Sequence, residues 1–253
     1  NELTGGTKGA FAKYEMDYFG VSTREIADWM KINIPAIQKD SVIIASDYFV
    51  PLKDYFTDYP KLKMAYRRYY QRSEFDWDYG VFLTGHLNPS HFKNPAVFPP
   101  AGTIHKIEVN GAPIGFIVKR VSKDDFIGVQ LIKQGKIQES IPYLEKARQL
   151  DANNEVVRLY LANAYVNVGK FNESLQESQK ALEIFPEYLG AMTTMAIAYI
   201  NLNQNDNAVF MLNEVLSQDP TNRDAAQYLA IAYERQGNVA AANQIRAQLQ
   251  QQR

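Results

Sequence analysis

Tyr165-Val166-Asn167-Val168-Gly169-Lys170-Phe171-Asn172-Glu173-Ser174 decides the fold, because its layout returns. The same pattern stands 34 residues earlier at Leu131–Ser140, and again at Tyr199–Ala208 and Tyr233–Ala242. Gly135, Gly169, Asn203 and Gly237 share one position of the period, and Ser140, Ser174, Ala208 and Ala242 share another. Small residues recur at Gly128, Ala162, Ala196 and Ala230, and Ala152, Pro186 and Pro220 close the first three units. Apolar residues keep helical spacing on both sides of the turn, as in Leu159-Ala162-Tyr165 and Leu175-Ser178-Ala181-Leu182. Each unit therefore reads as two amphipathic helices joined at a glycine, with Asn203 as the stand-in that best tolerates a left-handed backbone. Pro186 and Pro220 stop the second helices of their units. One such pair cannot bury its apolar face alone, so neighbouring pairs stack.

This period, with small residues at the eighth position and a glycine turn, resembles the tetratricopeptide repeat family over residues 121–253. The expected fold class is α+α/β: a small N-terminal α/β domain at 1–120, then an all-α superhelix of four helix pairs at 121–253. The units run at about 121–154, 155–188, 189–222 and 223–253. The resemblance implies that the first helix of each unit lines the concave surface. By position, that groove would hold Val129, Ile132, Lys133, Asn163, Val166, Asn167, Ile197, Ile200, Asn201, Ile231, Glu234 and Arg235. Asn side chains suit an extended peptide backbone, and Ile and Val offer apolar pockets. The groove lacks the dense Lys/Arg set of family members that clamp a terminal carboxylate, so that ligand class is not expected. The alternative is that these residues only pack against a neighbouring domain.

The rest of the chain has a different character. The first 120 residues hold 20 of the 31 aromatics and 8 of the 11 prolines. Their formal charge is +2 (15 basic, 13 acidic), against −3 (12 basic, 15 acidic) for the remainder. The total of −1 gives no global basic excess for nucleic acid or an acidic membrane. The chain has no Cys, which excludes disulfides, thiolate zinc sites and Cys nucleophiles. No apolar run reaches the length of a membrane span. Asn1–Gly6 has no signal-peptide layout and no initiator Met precedes it, so the expectation is a piece of a longer protein.

Local signals in this part alternate. Ser22 with Glu25 reads as a capping box before a helix over Thr23–Met30, in a neighbourhood that Pro35 ends. Ser41–Ser46 and Tyr79–Thr84 read as strands, Pro51 could open a short helix to Tyr59, and Leu62–Tyr70 is open between helix and strand. Asn88-Pro89-Ser90 could start another helix. Ile104–Val109 and Pro113–Val118 flank Asn110-Gly111, a strong hairpin signal. The strand order is beyond sequence reading.

The opening carries a second resemblance. Asn1–Phe11 is Gly-rich, Tyr14-Glu15-Met16-Asp17-Tyr18-Phe19-Gly20 follows, and a helix ends near Trp29. This looks like the region after the last membrane helix of multispanning bacterial glycosyltransferases of the protein O-mannosyltransferase type. The match is good over about the first 30 residues and loose over 31–120. It implies a placement on the periplasmic side of the inner membrane. The family's catalytic acids lie among its membrane helices, so no catalytic residue is carried over, and no cofactor is expected.

Other candidates carry less. Asp76-Trp77-Asp78 has a carboxylate spacing some sugar-nucleotide transferases use for a metal, but an acidic triplet before a strand usually is solvated surface. His86, His91 and His105 form no matched ligand set. Gly5–Gly9 has the wrong spacing for a phosphate loop, and there is no Gly-x-Ser-x-Gly elbow. Arg67-Arg68-Tyr69-Tyr70-Gln71-Arg72 suits headgroups, glycan or a nucleic-acid backbone, although a solvated face is the simpler reading. The leading expectation is a non-catalytic exported portion of a glycosyltransferase-like protein whose repeats recruit a protein or peptide. The rivals are a glycan-active enzyme using Asp76 and Asp78, and a free-standing cytoplasmic scaffold.

Overall fold

In a computed structural model of the chain, residues 22–95 and 97–251 are described. The chain divides into two compact units. One runs to Phe126 and takes in Leu150–Asn153; the other holds Ile127–Gln149 and everything from Asn154 on. The division falls after Phe126, past the compositional break at residue 120, because Arg120 keeps the next residues with the first unit. Its guanidinium donates to Phe75 O (2.8 Å) and Asp125 Oδ1 (2.6 Å) and lies over the Trp77 ring at 4.7 Å.

The first unit contains α1 (Ser22–Asn33), α2 (Ala36–Lys39), β1 (Ile43–Ser46), α3 (Phe49–Asp54), β2 (Lys63–Tyr66), a 3-10 turn (Tyr69–Glu74), β3 (Tyr79–Leu83), a second 3-10 turn (Thr84–His86), α4 (Pro89–Lys93), β4 (Thr103–Val109) and β5 (Ala112–Lys119). The sheet order is β2-β1-β3-β5-β4. β1 pairs in parallel with β2 and β3, and β5 pairs antiparallel with β3 and β4. The hairpin turn forms where Asn110-Gly111 predicts it, with φ of +52° and +76°, the double left-handed backbone that matches strand twist. One core cluster joins α1, α2 and α3 to the sheet through Ile26, Met30, Ile37, Ile44, Leu52, Val81 and Ile117. A second, with Tyr69, Trp77, Phe82, Leu87 and Phe116, covers other side chains of the same strands. Gly115 admits α1 closely: a Cβ there would lie 3.1 Å from Ile26 Cδ1. The stretch left open at Leu62–Tyr70 divides into β2 and the start of the first 3-10 turn.

The second unit carries the array. After α5 (Asp124–Lys133) come α6 (Ile137–Leu150), α7 (Glu155–Asn167), α8 (Phe171–Ile184), α9 (Leu189–Asn201), α10 (Asn205–Gln218), α11 (Arg223–Arg235) and α12 (Val239–Gln251). These are four helix pairs in the expected phase. Each pair turns through a left-handed residue, with φ of +78°, +78°, +59° and +82° at Gly135, Gly169, Asn203 and Gly237. The closing bond of a Schellman turn recurs as Lys136 N→Leu131 O, Lys170 N→Tyr165 O, Gln204 N→Tyr199 O and Asn238 N→Tyr233 O, at 2.8–2.9 Å. Asn154 and Asn222 cap the starts of α7 and α11 by accepting from Val157 N and Ala225 N. α8 and α10 end two residues before Pro186 and Pro220, as the restriction on residues preceding proline requires.

Asn203 is the one turn residue of the array with a Cβ in the left-handed region. Asn203→Gly should leave stability nearly unchanged, whereas Asn203→Val should cost about 1–2 kcal/mol. Urea unfolding of the full chain measures both, and equal midpoints for the two variants would contradict this account of the turn.

Candidate functional site

The first helices α5, α7, α9 and α11 carry equivalent residues in three columns, each residue one period from the next. The outermost column is Lys133, Asn167, Asn201 and Arg235, all exposed. Asn167 Nδ2 donates to Asn163 O and Asn201 Nδ2 to Ile197 O, each at 2.8 Å. The carbonyl thereby fixes which end of each amide lies against its own helix. Arg235 Nη1 reaches across the repeat to Ile200 O at 2.7 Å.

The other columns are less uniform. Val129, Asn163, Ile197 and Ile231 run from fully buried to exposed. Ile132 and Val166 are half-buried, Ile200 is buried and Glu234 is exposed. Two members of the expected groove therefore need correction. Val129 lies in one cluster with Ile141, Leu144 and Leu161, and Ile200 in one with Ala208, Leu212 and Val215. Their side chains are core, where burial is worth roughly 1.5–3 kcal/mol each, and they present nothing to a ligand. Asn163 is half-committed, since its Oδ1 accepts from Thr194 Oγ1 at 2.7 Å. Glu234 pairs with Arg246 of α12, and that hydrogen bond holds its carboxyl below the ordinary range. Thr194 and Arg246 went unread in the sequence because neither stands at a first-helix face position.

In the first unit the carboxylates suspected of metal binding have a cation already. Lys123 Nζ lies 2.7 Å from Asp76 Oδ1 and 3.3 Å from Asp78 Oδ1, while Asp78 Oδ2 accepts from Ile43 N at 2.8 Å. The hydrogen bond to Asp76 raises the lysine's pKa. Among the described residues no three His, Cys, Asp or Glu side chains gather as a metal would need. The three histidines lie apart in role. His91 is buried, with the Tyr70 hydroxyl 3.3 Å from its Nδ1. His86 Nδ1 lies 3.5 Å from Asp47 Oδ2, a pairing between residues 39 apart that only the sheet topology reveals. Asp47 is buried, and that burial pushes its carboxyl up despite the bonds from His86 and Leu83 N. In the arginine run, Arg72 is buried over the Tyr69 ring and Arg67 stacks on Phe75 at 3.8 Å, so only Arg68 is exposed as expected of a solvated face. Gly5–Gly9 and the opening motif up to residue 21 lie outside the described residues.

His105 stacks on Trp29 with centroids 4.3 Å apart and planes 6° from parallel. Burial lowers its pKa, opposed by Glu25. Because the folded value lies below the unfolded one, this group's stabilising contribution is present above the unfolded pKa and lost as pH falls through the folded pKa. Protonation should quench Trp29 fluorescence with a midpoint below about 6.5, and His105→Ala should remove that transition. A quenching step that survives the substitution would reassign it.

Residues 131–177 and 189–222 match tetratricopeptide repeat models. No curated protein sequence matches the chain. Among solved structures, MamA is 20% identical over 49% of this chain and 73% of its own, with a TM-score of 0.46. TTC0263, a thermophilic TPR protein of Thermus thermophilus, is 19% identical over 49% and 69%, also at 0.46. The first TPR of Spaghetti (RPAP3) bound to an HSP90 peptide is 26% identical over 43% and 86%, at 0.41. The period, the left-handed turns and the two model matches agree: the C-terminal region of this chain is built of tetratricopeptide repeats.

Proposed function

We propose that the chain is a recruiting module whose repeat array holds an extended segment of a partner protein against its first-helix face. The observation that carries this reading is the pair Asn167 and Asn201. They stand one repeat apart, both are exposed, and both are tied back by the same bond, so they offer two like-oriented amide oxygens. Such a pair suits the N–H groups of an extended backbone, and half-buried Val166 and Ile197 beside it suit an apolar side chain. Tetratricopeptide repeats suit protein–protein interaction for the same physical reason: stacking leaves one long face uncovered. The test is a peptide array probed with the full chain, followed by titration of the best binder. Asn167→Ala with Asn201→Ala should weaken that peptide about tenfold, the equivalent of two modest hydrogen bonds. Undiminished binding would move the site elsewhere.

The first unit belongs, in this proposal, to the non-catalytic exported portion of a membrane glycosyltransferase-like protein. The resemblance of the opening stretch supports it. Among the described residues no helix is long and apolar enough to cross a membrane, so attachment would lie with other parts of such a parent. The enzyme alternative is not favoured, because Asp76 and Asp78 are engaged by Lys123. Cell fractionation with an antibody to the chain should place it in the membrane fraction, open to protease from the periplasmic side. Recovery in the cytoplasm alone would sink this half of the proposal and leave the array's binding role standing.

A further inference from the structure

The repeats themselves show what kind of body fits against a pair of their helices. α11 lies against α9 and α10, and its Ala225, Leu229 and Ala232 share one cluster with Met192, Leu212 and Val215. Every position of that receiving surface recurs one period later on α11 and α12, and no helix follows α12 among the described residues. The difference shows in burial. Met192 is 8% exposed and Val215 0%, whereas their counterparts Ala226 and Leu249 are half-buried. With Leu229, Tyr233, Ala241 and Ile245 they line an open groove.

The polar residues of the groove narrow its occupant. Arg223 is the charged residue among those that line it, at the position Leu189 holds one period earlier. Leu189 packs against the apolar cluster, but Arg223 is half-buried and its guanidinium makes no ion pair among the described residues. α12 carries no acidic residue to answer it. Asp219 is taken up by Thr221 and Asn222, and Asp224, next along α11, does not face it. Beside the groove, the buried Ile200 and Leu212 of the third repeat give way to Glu234 and Arg246, which reach solvent and pair with each other. An apolar strip beside a charged, wetted margin has the make-up of a surface that a partner visits and leaves.

We propose that this groove docks an amphipathic helix of a partner protein, laid along α11 and α12 as α11 is laid along α9 and α10. The interface between repeats continues onto it, which fixes the kind of occupant. Leu189 and Ala225, from the starts of α9 and α11, share one cluster, so the first helices run in one direction. A docked helix in that direction brings its first turn to Arg223. Its apolar stripe mixes small and large residues at helical spacing, as Ala225, Leu229 and Ala232 do. Its first turn holds an acidic side chain for Arg223, which the helix dipole also favours. This surface is separate from the first-helix face and does not depend on that face binding a peptide.

The chain has no Cys, so Gln244→Cys on the groove wall can carry a single fluorophore on the full chain. The probe is a synthetic peptide with the sequence of α11, Arg223–Arg235, which has Asp224 in its first turn. It is stapled, because a free helix of that length is marginal in water. The fluorophore should respond saturably. Leu249→Ser in the chain should weaken binding about tenfold. Arg223→Gln in the chain should weaken it about threefold, and only while the peptide keeps its aspartate rather than asparagine. Asn167→Ala with Asn201→Ala should change nothing, and an unmoved thermal midpoint checks that each variant folds. No saturable response, undiminished binding by Leu249→Ser, or an equal effect of Arg223→Gln on both peptides would overturn the proposal. So would a dimer of the chain alone that Leu249→Ser dissociates, since the groove would then belong to a second copy.

Discussion

The array depends on how closely the two helices of a repeat approach. Ala162, Ala196 and Ala230 sit at that contact and are almost entirely buried. In the first repeat the position is Gly128, where a Cβ would lie 2.7 Å from Leu144 Cγ. The equivalent of Leu144 one period on is Ser178, opposite Ala162, so a larger partner meets the smaller residue. Close-packed interiors respond to a single methylene, and this spacing sets the separation that every later contact inherits. The left-handed turns serve the same constraint, since they reverse the chain within a few residues and keep both helices in register.

A polar tie adds to this packing. Glu177 of α8 is buried and pairs with Arg148 of α6 and Arg158 of α7. Removing one partner from such a group typically costs about 3–5 kcal/mol, while replacing the whole group by well-packed apolar residues is often neutral. The net stability of the array therefore comes from its apolar repeats. What the tie supplies is selectivity: a helix shifted by one position would leave a buried carboxylate without its guanidinium groups.

Legibility in the sequence followed the range of the interactions. The repeats were legible because each contact recurs at a fixed step, and Asn203 could be assigned its left-handed role from its three glycine counterparts. The hairpin was legible because Asn110-Gly111 encodes it locally. β2 was not, since its 4 residues, exposed or half-buried, carry no strand alternation and are specified by pairing with β1. The Asp47–His86 pair was invisible for the same reason: two short strands and a crossover bring it together. Family position named the first-helix face but overcounted it, because Val129 and Ile200 share helix positions with exposed residues while their own neighbours enclose them. Thr194 shows the opposite failure, a side chain without a face position that nevertheless holds Asn163.

The bonds on the outermost column say what kind of partner suits it. Asn167 and Asn201 each spend one N–H on a carbonyl of their own helix, and Arg235 adds a donor to the Ile200 carbonyl, which already accepts from Asn203 N at 3.2 Å. Donors are thus partly consumed within the array, and each amide keeps one further N–H beside its oxygen. A partner that brings acceptors can use the second N–H of each amide without displacing these internal bonds. A partner that brings N–H groups can use the amide oxygens. Each exposed amide thus carries an acceptor and a further donor, the complement of one peptide unit of an extended backbone, and the two amides repeat it one period apart.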